Sequence, residues 1–415
     1  MEEVLEQPPV LAPSRTRLNL QIPLPKMLTV KEELLIARKA FEKNPASPAL
    51  LYRLASLLVE LDHFHEAIAL LESHKPTEFR HFRFLYDAYL GLETQEDTLR
   101  ARTAAELALQ AASTPRQRAI ALADLAKTYT RFDEVETSKG LLLQALEEDP
   151  HDKDAYKRLS RIYLRQDPEK ALQLAQNMME RNVLHARVLG SVPLALARLG
   201  RFAEAHEAEA LDEFLLSKTP EPPPGWDSLE AFNAALTEEI LNHPDMRYER
   251  YGTASAKTWR VDEPSIQRSR VFPQLQQLIR REVMAYAARM PESNHPMARA
   301  CPQHASLRNW CVVTQGEGHE TWHVHQNGWM SGVYYIHIQD HIARGTGPEG
   351  CLAFGISDEI AGDQAAAGYG ERLVRPQTGL MMIFPSHSFH KTYPHRGSGH
   401  RICFAFDIIP SNEED

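Results

Sequence analysis

From about Lys31 to Leu216, apolar residues recur at i, i+3, i+4 in a background rich in Ala, Leu, Glu and Arg. That spacing puts one apolar stripe on each segment and predicts a run of amphipathic helices. Asn44-Pro45 and Asp149-Pro150 mark helix starts. The pattern changes near residue 220. KTPEPPPGW (218–226) contains three consecutive prolines, which fix φ, remove backbone donors and stop a helix, so this segment predicts a linker. DSLEAFNAALTEEILNH (227–243), opened by a capping Asp or Ser, and FPQLQQLIRREVMAYAARM (272–290) predict two more amphipathic helices. After Pro291 come short β-prone runs: LRNWCVVTQ, SGVYYIHI, GCLAFGI, GLMMIFPS and RICFAFDII, separated by Gly, Pro and Asn. Several short strands behind two helices predict a sandwich or jelly roll flanked by helices. The expected fold class is therefore α+β multidomain, with an all-α N-terminal half.

The helical half repeats itself. ALEEDPHDKDAYKRLSRIYL aligns with STPRQRAIALADLAKTYT at a period of about 34, Leu125 matching Leu159 and Tyr129 matching Tyr163. LVELDHFHEAIALLE (58–72) and LARLGRFAEAHEAEA (196–210) share another phase, with Ala67 and Ala205 where two helices must approach closely. These segments resemble tetratricopeptide repeats, in about four recognisable units and a degenerate one near 77–112. The resemblance implies a superhelix with a concave surface, used in that family for peptide or protein partners. A scaffold or dimerisation role is the rival expectation. The division expected is an N-terminal arm, partly disordered, over 1–30; repeats over 31–217; a linker over 218–226; and a β-rich domain over 227–415.

Composition narrows the class. The 415 residues are 43% hydrophobic and 25% charged, a soluble globular balance. No apolar run reaches the roughly 20 residues that span a bilayer, and the acidic start, MEEVLEQPPVLAPSRTR, lacks the pattern of a secretory signal. A net charge of −10 argues against a nucleic-acid partner. Cys301, Cys311, Cys351 and Cys403 stand singly, which suits a reducing, cytoplasmic location and disfavours a cysteine metal site. Oligomeric state is not legible.

Nine of the nineteen histidines fall between His319 and His400. His323 and His325, two apart, point to one face of an extended chain and can reach one metal. His390 follows the run that ends at Pro385, and Arg401 opens the run RICFAFD eleven residues later. WHVHQNGWMSGVYYI, then GCLAF, then GLMMIFPSHSFHKTYPHRGSGHRICFAFD together resemble the iron(II)- and 2-oxoglutarate-dependent oxygenases. The branch is the one patterned HxHxxxWxSGVYY…GLLxxFPSxxxHxxxP…R-x-x-x-A-F-D, over roughly 305–408. The resemblance implies a double-stranded β-helix and an oxygenase-like domain over 227–415. It implies a dioxygenase that hydroxylates a peptide, protein or small-molecule C–H bond with Fe(II), 2-oxoglutarate and O2. Carried over by position, His323 and His390 are metal ligands, Arg401 anchors the cosubstrate's remote carboxylate through its planar fork, and Tyr335 is a second donor to that carboxylate.

One position departs from the superfamily. Its usual HxD is HVH here, so His325 stands where a carboxylate is expected. Three readings stay open: His325 ligates in an all-histidine site, it stands aside, or the ligating pair is shifted to begin at His319 or His325. Same-face geometry favours the all-histidine site. His319, His337, His341, His387, His395 and His400 are expected on solvated loops or rims, and Trp322 and Trp329 in packing over the sheet. No GxSxG or GxxxxGK[ST] occurs. The rival to the enzyme is a non-catalytic metal- or ligand-binding jelly roll on a repeat scaffold.

Overall fold

A computed structural model describes residues 18–75, 78–264, 269–290 and 293–411. Among the described residues, eleven helices form the N-terminal half: α1 (Val30–Lys43), α2 (Pro48–Glu60), α3 (Phe64–Glu72), α4 (Phe79–Gly91), α5 (Gln95–Ala111), α6 (Pro115–Thr130), α7 (Val135–Glu148), α8 (Lys153–Gln166), α9 (Pro168–Glu180), α10 (Ala186–Arg198) and α11 (Phe202–Glu209). Side-chain caps fix where they begin. Thr29 and Glu32 form a capping box on α1, and Thr94, Thr114 and Asp152 accept from backbone N–H groups at the starts of α5, α6 and α8. Alanines sit at the helix crossings: Ala67, Ala101, Ala108 and Ala205 are fully buried. The segment near 77–112, irregular in sequence, is the ordinary helix pair α4–α5. Its run FRHFRFLYDAYLG hides the small-residue phase behind aromatics, of which Tyr86 and Tyr89 are buried.

Beyond α11 come short α12 (Leu211–Phe214), α13 (Leu229–Leu241), α14 (Phe272–Arg289), α15 (Pro296–Arg299), α16 (Asp340–Ala343), α17 (Asp358–Ala361) and α18 (Asp363–Tyr369). The strands are β1 (Asn19–Gln21), β2 (Leu216–Lys218), β3 (Arg247–Tyr248), β4 (Ser255–Asp262), β5 (His304–Glu320), β6 (Met330–His337), β7 (Leu352–Phe354), β8 (Arg372–Val374), β9 (Met381–Pro385), β10 (His390–Thr392) and β11 (Arg401–Pro410). They make two sheets, β2-β9-β6-β11-β5-β4-β3 with β1 added beside β5, and β10-β7-β8. All pairings are antiparallel except the parallel β1–β5. β4 was not expected: SAKTWRVD carries Lys257 and Arg260 among its apolar residues, which masks the alternation.

The large sheet has two different faces because side chains alternate along a strand. Ile402, Phe404, Phe406 and Ile408 of β11 pack with Phe232 and Leu236 of α13 and Leu275 and Ile279 of α14. Cys403 turns the other way, toward Val333 and Tyr335 of β6, Phe384 of β9 and Phe354 of the small sheet. A cavity opens on that second face.

The helices hold the β-rich half through contacts that include two groups. Near α8 and α10, Lys153 Nζ donates to Asn327 Oδ1 at 3.0 Å, and Arg187 donates from Nε and Nη2 to Gln326 Oε1 at 3.2 and 3.1 Å. Gly190 lies against the turn before β10, where a Cβ would stand 2.7 Å from the His387 carbonyl oxygen. Near α2 and α4, Arg247 donates to the Glu60 carbonyl at 2.7 Å and Tyr251 to that of Leu90 at 3.3 Å. Residues 1–17 of the arm lie outside the described residues; Leu18 and Leu20 are buried beside β5. Lys218, at the start of the proline-rich segment, ends β2 and pairs with Met381. No described helix is long and apolar enough to cross a membrane.

Candidate active site

His323 and His390 are 67 positions apart in sequence, yet each backbone N–H donates to the other's carbonyl, at 3.0 and 3.1 Å. His325 is held beside them by its N–H, which donates to the Ser386 carbonyl at 3.0 Å. Between them Val324 points the opposite way, into a cluster with Leu164, Leu194 and Phe389. The helical half therefore clamps the segment that carries two of the histidines. The three rings converge: centroids lie 5.1 Å apart for His323–His325, 4.2 Å for His323–His390 and 5.0 Å for His325–His390. One nitrogen from each falls within 4.8 Å of the others.

The tautomers follow from the partners. His323 Nδ1 donates to the Thr321 carbonyl at 2.7 Å, His390 Nδ1 to the Ser388 carbonyl at 2.9 Å, and His325 Nδ1 to the Asp407 carboxylate. Each partner only accepts, so each Nδ1 carries a proton, and a neutral ring then keeps its lone pair on Nε2. The Nε2 atoms of His323 and His325 lie 3.2 Å apart, an arrangement of facing lone pairs that a shared cation relieves. Burial, then the neighbouring imidazoles, holds His390 well below the usual histidine range and lowers His323 to about 3. Both are neutral at pH 7, as ligation requires. The donor set fits a first-row divalent metal bound by imidazole. Asp407 adds a carboxylate behind His325, the arrangement that orients metal-bound imidazoles. The negative charge missing from the HVH motif thus reappears one residue removed, with Ser331 Oγ donating to the same carboxylate at 2.7 Å.

The cavity beside the triad has a volume of about 540 Å³. Arg401, 3% exposed, lines it with Tyr335, and the guanidinium carbon sits 5.2 Å from that ring's centroid. Arg401 Nε and Tyr335 Oη are buried without hydrogen-bond partners, and among the described residues no carboxylate lies within ion-pair distance of Arg401. A buried, unpaired guanidinium is costly and fits a ligand carboxylate. The residues present therefore suit 2-oxoglutarate as well as a metal.

Other expectations resolve differently. His319 lies outside the triad and donates to the Glu317 carbonyl at 2.8 Å. His337 and His341 are exposed. His387 and His395, expected on solvated rims, are instead 1% and 2% exposed, their Nε2 atoms bonded to the carbonyls of Glu209 and Thr314 at 3.2 Å each. His387 packs beside Glu209 of α11 and His295, and His395 beside Thr314 of β5 and His341, contacts that no local pattern announces. Trp329 is buried and donates to the Met297 carbonyl at 2.9 Å, whereas Trp322 lines the cavity. Asp407 had no role assigned from sequence. Its signal was available: Arg401, Cys403, Ala405 and Asp407 alternate along β11, and all four line the cavity.

Comparison with known proteins matches part of the chain to a family. Residues 308–407 match the family described as "Putative 2OG-Fe(II) oxygenase". No curated protein sequence matches the chain. Among solved structures, a Pseudomonas putida prolyl-4-hydroxylase is similar at 13% identity and TM-score 0.33, over 52% of this chain and 100% of that one. YrrB, a TPR protein with an unusual peptide-binding site, is similar at 17% identity and TM-score 0.32, over 42% and 89%. A thermophilic TPR protein of Thermus thermophilus is similar at 19% identity and TM-score 0.32, over 44% and 91%.

Proposed function

We propose, for a chain whose residues 308–407 carry the 2OG-Fe(II) oxygenase match, that it is an Fe(II)- and 2-oxoglutarate-dependent dioxygenase hydroxylating a C–H bond of a peptide, protein or small molecule. The repeats over 31–217 recruit substrate or partner, and the region 227–415 carries the chemistry. The observation that supports this best is the set of three imidazoles whose Nδ1–H groups are all engaged elsewhere, leaving Nε2 atoms free in one small space.

In this reading His323, His325 and His390 hold the metal. Arg401 and Tyr335 bind the remote carboxylate of 2-oxoglutarate, Arg401 as cation and Tyr335 as a protonated donor, since burial raises its pKa. Iron with cosubstrate and oxygen supplies the oxidising chemistry when bound. The chain's own work is positional. Asp407 fixes the His325 ring, the carbonyls of Thr321 and Ser388 fix the other two, and Phe354 and Phe384 pack against His390 at 6.0 and 4.9 Å between centroids. Those apolar walls keep water from the metal side of the cavity.

Anaerobic addition of Fe(II) and then 2-oxoglutarate to the full chain tests the reading. A weak visible absorption band is expected, followed by succinate release in air. His323→Ala abolishes the band, and Arg401→Ala raises the 2-oxoglutarate concentration needed by at least about tenfold, a lost charge-assisted pair being worth roughly 1.5–3 kcal/mol. A folded chain that gives neither band nor succinate rejects the proposal.

A further inference from the structure

The metal triad shares its cavity with three cations from the helical half: Lys157 and Arg161 of α8 and Arg187 of α10. Among the described residues, seven Lys or Arg line that cavity and only two carboxylates, Glu320 and Asp407, in a chain whose net charge is −10. Neither carboxylate is available to them. Asp407 is engaged by His325, and Glu320 accepts from Ser255 Oγ at 2.7 Å. Of the other cations, Arg250 and Arg260 each pair with Asp262 at 2.7 Å.

Lys157, Arg161 and Arg187 have no such partner. Among the described residues, no carboxylate lies within 4.0 Å of any of them, although Asp154 and Glu359 are near enough to be felt. Arg187 is held by Gln326, a neutral acceptor that orients the guanidinium without cancelling its charge. Lys157 and Arg161 are four apart on one helix face, where like charges repel. Burial first, then the neighbouring cations, lowers Lys157 to about 7 and Arg187 to about 10. Such crowding costs free energy in the unliganded chain and is relieved when an anion binds.

The spacing selects the shape of that anion. Residues four apart on a helix are displaced by about 6 Å along its axis, and alternate side chains of an extended chain by about 6.5–7 Å. Two acidic side chains at i and i+2 of an extended peptide therefore reach Lys157 and Arg161 together. We propose that α8 and α10 are the substrate-recognition wall of the cleft, and that the substrate is an extended peptide whose carboxylate or phosphate groups sit on Lys157, Arg161 and Arg187. This rests on the oxygenase reading and supplies its substrate class. It also gives the repeats a part in the catalytic pocket itself.

Fluorescein-labelled octapeptide pools, randomised except for a fixed Glu-x-Glu, phosphoserine-x-phosphoserine or Lys-x-Lys, would be titrated with the full chain at low ionic strength and followed by anisotropy. The two acidic pools are expected to bind at least tenfold more tightly than the basic pool, and the stronger of the two identifies the anion. Lys157→Glu/Arg161→Glu should abolish the preference, and Lys157→Gln/Arg161→Gln should reduce it at least fivefold. Equal binding of all pools, no binding of either acidic pool, or an acidic preference that survives charge reversal in a folded variant overturns the proposal. The Fe(II)–2-oxoglutarate band is measured on the same variants. A band that persists while the preference is absent from the parent chain defeats the peptide assignment and leaves the oxygenase reading intact.

Discussion

Asp407 shows how one side chain can compensate for another. An imidazole in place of the expected carboxylate leaves a bound divalent metal with more positive charge. Asp407 restores a negative charge behind His325, close enough to hold its Nδ1 proton. Asp407→Asn retains the size and an acceptor oxygen but removes the charge. Metal affinity, measured by chelator competition with Fe(II) or Co(II), is expected to fall about 10–100-fold, as for other partners of metal-bound histidine, with the circular dichroism spectrum unchanged. Undiminished affinity would show that the carboxylate serves folding alone. His323 and His390 were legible as single residues from their motif spacing. His387 and His395 look solvated in sequence yet are buried, because whether a turn histidine is wet or dry depends on which distant element covers it.

At the scale of the element, alternation along β11 and β6 sorts chemistry from packing. One face of β11 presents Arg401 and Asp407 to the cavity, and the other presents Phe404 and Phe406 to α13 and α14. The sorting needs β6 close to β11, and Gly332 permits it. A Cβ there would stand 2.2 Å from Phe406 Cζ and 2.5 Å from the Met382 carbonyl oxygen. A ring can turn, but a backbone oxygen within a sheet cannot readily retreat. Gly332→Ala is expected to destabilise the chain by about 1–3 kcal/mol, the usual cost of overpacking. Gly140→Ala in α7, where nothing lies within 4 Å, should be neutral or stabilising by about 0.5–1 kcal/mol. Urea unfolding of the two variants beside the parent decides it; equal midpoints would show that β6 and β11 have slack. Most helices and the main strands could be read from apolar periodicity. β4 could not, because its cation-bearing sequence gains strand character only from β5 beside it.

For the whole molecule, the joint between helices and sheets matters most. Glu209, the last residue of α11, is 2% exposed and accepts from the Tyr369 hydroxyl of α18 at 3.2 Å, while its carbonyl accepts from His387. Burial raises its carboxyl to about 7, against about 4.3 in an unfolded chain. Between those values the folded chain keeps a proton that the unfolded chain has released. The stability this group contributes is thus full at the acid end and lost as pH climbs through about 7. Glu209→Gln removes the titration. Its melting temperature relative to the parent should rise from pH 5 to pH 8, by an amount reflecting up to roughly 2–3 kcal/mol. A constant difference across that range would mean the carboxyl is ionised throughout.

The sequence by itself determined most of the elements and pointed to part of the candidate site. Apolar periods of 3.6 and 2 are local, tetratricopeptide-like phasing needs only neighbouring repeats, and three of the site's residues announce themselves by motif. Tertiary structure decided what depends on covering and convergence. It brought Asp407 behind His325 and dried two turn histidines. It also set Lys157, Arg161 and Arg187 of a separate helical array into the wall of the cavity beside the three histidines. Charges on a helix face read as solvated in any sequence window. Only the packing of α8 and α10 on the segment around Gln326 gathers them at one cavity without a carboxylate partner, because that contact joins parts of the chain that share no local pattern.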